Sequence, residues 1–289
     1  MTYDLYIGDR RFSTWSMRGW LMLRAFDLPH NVHMVGLYSD TMAEDLAHMP
    51  LAKLVPVLNT PHGHTQDSLA MSEYLAEQNP NAGLYPTDPA MRMRARWLNA
   101  ELHSGFANLR GDCPGDLLGQ IPDFQPSQGV LNDVARIEAL WASAWDMSGS
   151  DGWLFGDYSL ADVFYAPIAG RIATFNLSVS DRANAYVQKH LAHPLFRQWR
   201  AMGLTQTYDP HPYYPDMART TWPGPKTLSA KPVGKGPSEN ATCPYSGGPV
   251  TDFLEIDGRV FGFCNTFCRD KTVIDPEAWP DFMTLLDRS

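Results

Sequence analysis

The stretch RRFSTWSMRGWLMLRAFDLP, residues 10–29, sets three short hydroxyl side chains, Ser13, Thr14 and Ser16, just ahead of an apolar run. Such oxygens favour helix starts because they accept from first-turn N–H groups that have no partner within the helix. From Ser16 to Leu28 the positions Met17, Trp20, Leu21, Leu23 and Ala25 fit a helical period, and Pro29 closes the run. A helix N-terminus also carries partial positive charge and stabilises anions, thiolates included. The hydroxyls therefore either cap the helix or hold something reactive at its positive end, and the stretch alone leaves both readings open.

The flanks read as strands. YDLYIG (3–8) alternates, NVHMVGL follows as a second strand, and SDTMAEDLAHM reads as a short helix opened by Ser39 or Asp40. LVPVLNT is a strand interrupted by Pro56, which cannot donate to a ladder and so marks an edge, a bend or a cis turn. QDSLAMSEYLAEQNP is a helix with Asp67 or Ser68 near its start. The order β-α-β-α-β-(β)-α predicts a small mixed sheet with helices on its faces.

From Asp88 onward the long segments are helix-periodic and strand-free, and Ser159-x-x-Asp162 has capping-box spacing. Residues 206–240 hold seven prolines and little periodicity, as in a linker or an extended arm. The tail beyond carries a hairpin signal at IDGR. The expected fold is α+β: an N-terminal sheet domain over 1–82, an all-helical domain over 88–205, the proline-rich linker 206–240 and a small cysteine-containing module over 241–289.

Composition narrows the function. Lys+Arg 23 against Asp+Glu 32 gives a net charge of −9, which argues against binding nucleic acid phosphates or acidic membranes. No leader pattern opens the chain, no apolar run approaches the ~18 residues of a membrane span, and four cysteines do not read as a disulfide scaffold. A cytoplasmic protein without membrane or nucleic acid partners is expected.

FSTWSMRGWLMLRAFDLP, KLVPVLNT, QDSLAMSEYLAE and GDYSLADVFYAP, in this order and spacing, resemble the cytosolic glutathione transferases over about residues 3–203. The hydroxyl cluster is most similar to the Ser-type members, including the zeta, or maleylacetoacetate isomerase, group with its SSCS-x-R pattern. The resemblance implies a thioredoxin-like first domain, glutathione as co-substrate, a small electrophile and a homodimer. Ser13 occupies the first Ser of the pattern and would face the glutathione sulfur, with Ser16 second in line for that role. Val55 would pair its backbone with the cysteinyl part of glutathione, and Pro56 would be the cis-proline that turns it there. Asp67 and Ser68 match the residues that hold the γ-glutamyl end, and Asp162 matches a helix cap. Trp15 stands where the pattern has Cys, and Arg18 matches its Arg. Met91, Trp97, His103 and Phe106 are candidates for the electrophile wall.

In the tail, Cys243, Cys264 and Cys268 form C-x20-C-x3-C, a spacing suited to zinc at a knuckle. CPYSGGPV and FGFCNTFCRDK resemble the TRASH and YHS metal-binding modules. A fourth ligand is not evident: Asp270, Asp275, water, His211 or Cys113 are the candidates. The enzyme reading stands against a second one, a non-catalytic protein whose metal- or redox-responsive tail is its working end.

Overall fold

A computed structural model describes residues 1–37, 41–206 and 216–287. β1 (Tyr3–Ile7) alternates as its sequence predicts: Tyr3, Leu5 and Ile7 are buried, while Asp4 and Tyr6 are half-buried. It leads into α1 (Thr14–Arg24), β2 (His30–Met34), α2 (Met42–Asp45), β3 (Val57–Thr60), β4 (Gly63–Thr65) and α3 (Ser68–Gln78). β1 pairs parallel with β2 and antiparallel with β3, and β3 pairs antiparallel with β4, giving the order β2-β1-β3-β4. This is the expected thioredoxin-like sheet. α1 stops short of the predicted Leu28, because Asp27 adopts a φ of 51° and Leu28 N–H turns back to Leu23 O. β3 starts after Pro56 rather than running through it, so no ladder bond is lost. Ser39 and Asp40 lie outside the described residues.

The helical part contains α4 (Pro89–Ser104), α5 (Ala107–Asp112), α6 (Gln128–Ser148), α7 (Leu160–Thr174), α8 (Asp181–Ala192) and α9 (Pro194–Leu204). The helix-periodic stretch PAMRMRARWLNAELHSGFANLR (89–110) is broken after Gly105 at Phe106, whose φ of 57° places it in the left-handed region. α7 is apolar nearly all round, and every one of its residues is buried, as a central helix requires. Its capping box forms: the Ser159 hydroxyl accepts Ala161 N–H at 3.3 Å and Asp162 accepts Ser159 N–H at 2.9 Å. Asp162 also takes Leu154 N–H, the Ser159 hydroxyl and the Tyr186 hydroxyl, beneath the packed rings of Trp141, Trp145 and Trp153. Nearby Leu98, Leu102 and Phe164 are fully buried, each contributing roughly 1.5–3 kcal/mol.

Contacts divide the chain into two compact units. Residues 1–191 and 216–223 form the first; residues 192–206 and 224–287 form the second. The second holds α9, β5 (Ala230–Val233), β6 (Asp252–Ile256), β7 (Arg259–Phe263), α10 (Thr266–Ile274), a 3-10 turn (Pro276–Ala278) and α11 (Pro280–Leu286). The sheet is antiparallel in the order β5-β6-β7, with Pro232 on an edge strand, where its missing N–H costs little. The IDGR hairpin turns through Asp257 and Gly258, at φ 51° and 76°, the two positive values a two-residue hairpin favours. Arg197 of α9 grips Asp275 through two bonds, 2.8 and 2.6 Å. Among the described residues no helix is long and apolar enough to cross a membrane.

Candidate functional site

Ser13 is the N-cap of α1, and Met17 N–H continues the helix from Ser13 O. Its hydroxyl lies 2.8 Å from Ser16 Oγ, and Ser16 Oγ accepts Gly8 N–H at 3.0 Å. The two serines then part. Ser13 lines a cavity of about 690 Å³ in the first unit, together with Thr14, Trp15 and Val55. Ser16 is wholly buried and is not in its wall. The Val55–Pro56 bond is cis, and Pro56 is packed against Gly19 of α1.

Asp67 and Ser68 begin α3, outside the cavity wall. Asp67 Oδ1 accepts Leu69 and Ala70 N–H at 2.8 and 2.9 Å, and Oδ2 meets His103 Nε2 at 3.0 Å. The Ser68 hydroxyl is buried at the start of the helix and, among the described residues, has no hydrogen-bond partner.

The opposite wall differs from the one expected. None of Met91, Trp97, His103 and Phe106 lines the cavity; Trp97 is half-exposed and donates to Glu101 at 2.8 Å. Ser104, Ala107, Arg110 and Arg171 take their place. Arg110 lies 5.0 Å from the centre of the Trp15 ring, and the buried Arg18 lies 4.3 Å from it. Arg171 donates to Cys113 O at 2.8 Å and to Thr14 Oγ1 at 3.3 Å. Burial, then the charges of Arg171 and Arg110, push the Arg18 guanidinium down to about 9. Among the described residues no carboxylate lines the cavity, and the two guanidinium groups favour anions there. The missed signal in the sequence was Arg171, a lone charge inside the apolar run ADVFYAPIAGRIATF.

In the second unit Cys243, Cys264 and Cys268 place their sulfurs within 4.8 Å of one another, with Cys264 and Cys268 3.8 Å apart. Cys243 sits in a turn closed by Gly247 N–H to Cys243 O at 2.9 Å, and Cys268 lies in the first turn of α10, capped by Asn265. Burial raises the Cys243 thiol, but the N–H groups of Tyr245, Cys264 and Ser246 outweigh it and bring the thiol down to about 7. Tetrahedral zinc, about 2.3 Å from each thiolate, separates its sulfurs by about 3.8 Å, so the donor set and its spacing fit. Among the described residues no carboxylate or imidazole joins the cluster. Asp270 is bound to Arg269 and Asp275 to Arg197, while Cys113 belongs to the first unit with its thiol pushed up to about 12 by burial. His211 lies outside the described residues.

Residues 9–83 match the family model described as glutathione S-transferase, N-terminal domain. The chain is 30% identical over 203 residues to a maleylacetoacetate isomerase of Pseudomonas aeruginosa, covering 67% of this chain and 93% of that protein. Among solved structures, a glutathione transferase homologue from Burkholderia, determined with bound glutathione, is similar at 24% identity and a TM-score of 0.52, over 71% of this chain and 99% of that one. The glutathione transferase Omega 2S of Trametes versicolor, in complex with a dihydroxybenzophenone, is similar at 20% identity and a TM-score of 0.54, over 71% and 96%.

Proposed function

The chain belongs to the glutathione S-transferase family, and from that premise we propose a glutathione-dependent enzyme acting on a small electrophile that carries a carboxylate. One observation carries this reading: the Ser13 hydroxyl, at the positive end of α1, shares a cavity with Arg110 and Arg171 and, among the described residues, with no acidic side chain.

Glutathione supplies the nucleophilic sulfur. A free thiol has a pKa near ~8.5, and a hydroxyl donor at a helix N-terminus lowers it, raising the thiolate fraction at neutral pH. Ser16 supports this. Its oxygen accepts Gly8 N–H and the Ser13 hydroxyl proton, which holds the Ser13 oxygen at the cavity wall, and that proton would turn to the sulfur once a thiolate is bound. The backbone of Val55, set by Pro56, would pair with the cysteinyl part of glutathione. Ser68, with Asp67 beside it, would hold the γ-glutamyl end.

Attack forms a C–S bond and moves the π pair of an unsaturated electrophile onto its carbonyl oxygen. Arg110 and Arg171 would stabilise that oxygen and the carboxylate. Protonation of the adjacent carbon then yields the adduct. Rotation followed by loss of the sulfur instead restores the double bond in the other geometry, as the name of the isomerase relative suggests. A homodimer is proposed with this function, to be read by sedimentation.

The test compares glutathione addition to maleate with addition to dimethyl maleate. The carboxylate form is expected to be preferred, and Arg110→Leu should lower kcat/KM for maleate about tenfold or more while sparing the ester. A wild-type protein that binds glutathione with an unshifted thiol defeats the reading.

A second reading rests on the thiol cluster: a protein using this fold for binding, with Zn²⁺ at Cys243, Cys264 and Cys268 as its metal- or redox-responsive end. Under it, Cys264→Ser abolishes function and Ser13→Ala does not. The enzyme reading requires the reverse.

A further inference from the structure

One wall of the cavity is a loop, residues 113–121, that follows α5. Pro114 and Gly115 line the cavity. Gly115 lies against the turn that carries Ser13: a Cβ there would come 2.5 Å from Phe12 O and 2.6 Å from Thr14 Cγ2. On its inner side α7 holds the loop. Arg171 donates to Cys113 O, Thr174 donates to Asp116 O at 2.9 Å, and Ile121 N–H donates to Thr174 O at 2.6 Å.

The other side of the loop is held by residues far along the chain. Residues 216–223 return to the first unit and pair with it: Thr220 N–H donates to Gln120 O at 2.8 Å, and Gln120 N–H donates to Thr220 O at 3.2 Å. Gly119 makes the approach feasible, since any Cβ would overlap the Thr220 carbonyl. The Asp116 side chain is fully buried. It accepts Leu118 N–H at 2.8 Å and forms an ion pair with the Arg219 guanidinium. A buried carboxylate deprived of its cation is strongly unfavourable, so the loop keeps this position only while Arg219 is in place.

We propose that residues 216–223 form a strap that sets the cavity wall beside Ser13, with Arg219 as a positioning residue for the electrophile. The inference rests on the proposed function. The strap does not touch the reacting atoms; it acts through Asp116 and the loop on the gap between Gly115 and the Phe12–Thr14 turn. A shift of about 1 Å in such a wall changes how the electrophile meets the sulfur. Ser13 is held at the start of α1 by local bonds to Asp9, Ser16 and Met17, so the acidity of bound glutathione is not expected to depend on Arg219.

The experiment uses the full chain, with Arg219→Ala and Arg219→Lys assayed on glutathione and maleate. Arg219→Ala is expected to raise KM for maleate about tenfold, with the pKa of the bound glutathione thiol unchanged, and Arg219→Lys should recover most of the loss. Wild-type constants in a folded Arg219→Ala protein overturn the proposal, even if its melting temperature falls, because a purely structural role would do just that. If Arg219→Ala does not fold, hydrogen exchange on the wild type decides. Slower exchange at the Thr220 and Ile121 amides on saturation with maleate and S-methylglutathione supports the strap, and unchanged exchange overturns it. A wild-type protein that binds no glutathione fails the proposed function itself, which separates that failure from this one.

Discussion

Ser13 and Ser16 lie 2.8 Å apart, oxygen to oxygen, yet of the two only Ser13 reaches the cavity wall. Under the proposed function the pair would separate a ligand-facing role from a supporting one. Ser13→Ala is expected to return the bound thiol toward its free pKa and to lower kcat/KM about a hundredfold, with about 1 kcal/mol lost with the helix cap. Ser16→Ala leaves the buried Gly8 N–H without its acceptor and should cost about 1–3 kcal/mol in urea unfolding. Indistinguishable phenotypes for the two variants would break this assignment.

Asp162 links stability to pH. Burial raises its carboxyl from 3.8 to about 6, against the pull of its four donors. The folded state thus holds the proton more tightly than the unfolded chain. The stabilisation is complete below the unfolded pKa and is lost as pH rises through about 6, an effect of about 3 kcal/mol. The stability of the wild type relative to Asp162→Asn should therefore fall between pH 4 and pH 6.5 and level off above. Urea titrations across that range check it, and a rising difference would contradict it.

Arg197 and Asp275 form the best-buried ion pair of the second unit, with side chains 16% and 6% exposed. Arg197→Met strands the carboxylate and should cost about 3–5 kcal/mol. The exposed pair of Arg182 and Asp146 is a control: Arg182→Ala should change stability by at most about 1 kcal/mol. Thermal unfolding of both variants in the full chain measures the contrast.

For the thiol cluster, purified protein is expected to bind one Zn²⁺ per chain through Cys243, Cys264 and Cys268. Cys264→Ser should lose that stoichiometric metal, and a chelator should lower the melting temperature of the wild type but not of the variant. Equal metal content in both proteins would remove the cysteines from the site.

Local order was readable from the chain because it depends on local physics. Ser13 and Asp67 cap their helices through bonds to N–H groups three or fewer residues away, and the Asp162 capping box closes over the same distance. The IDGR turn needed only two positive φ values, and C-x20-C-x3-C brought its three sulfurs together across one hairpin and one helix start. Helix ends were less readable. The apolar period continues past Gly105 and Phe106, where the helix ends, so the stop rests on the Gly105 cap and the positive φ of Phe106 and not on the period.

The sequence by itself determined the α+β order, the helix caps, the serine cluster and the cysteine triad, since each follows from periodicity or from bonds within a few residues. Only the tertiary structure decided which serine meets the cavity, that Arg110 and Arg171 form the opposite wall, and that Arg219 closes on Asp116. Those relations join residues up to 157 positions apart, as in the Thr14–Arg171 bond. The physical reason is that helix and strand patterns record which face of an element is apolar, but not which distant element will cover it.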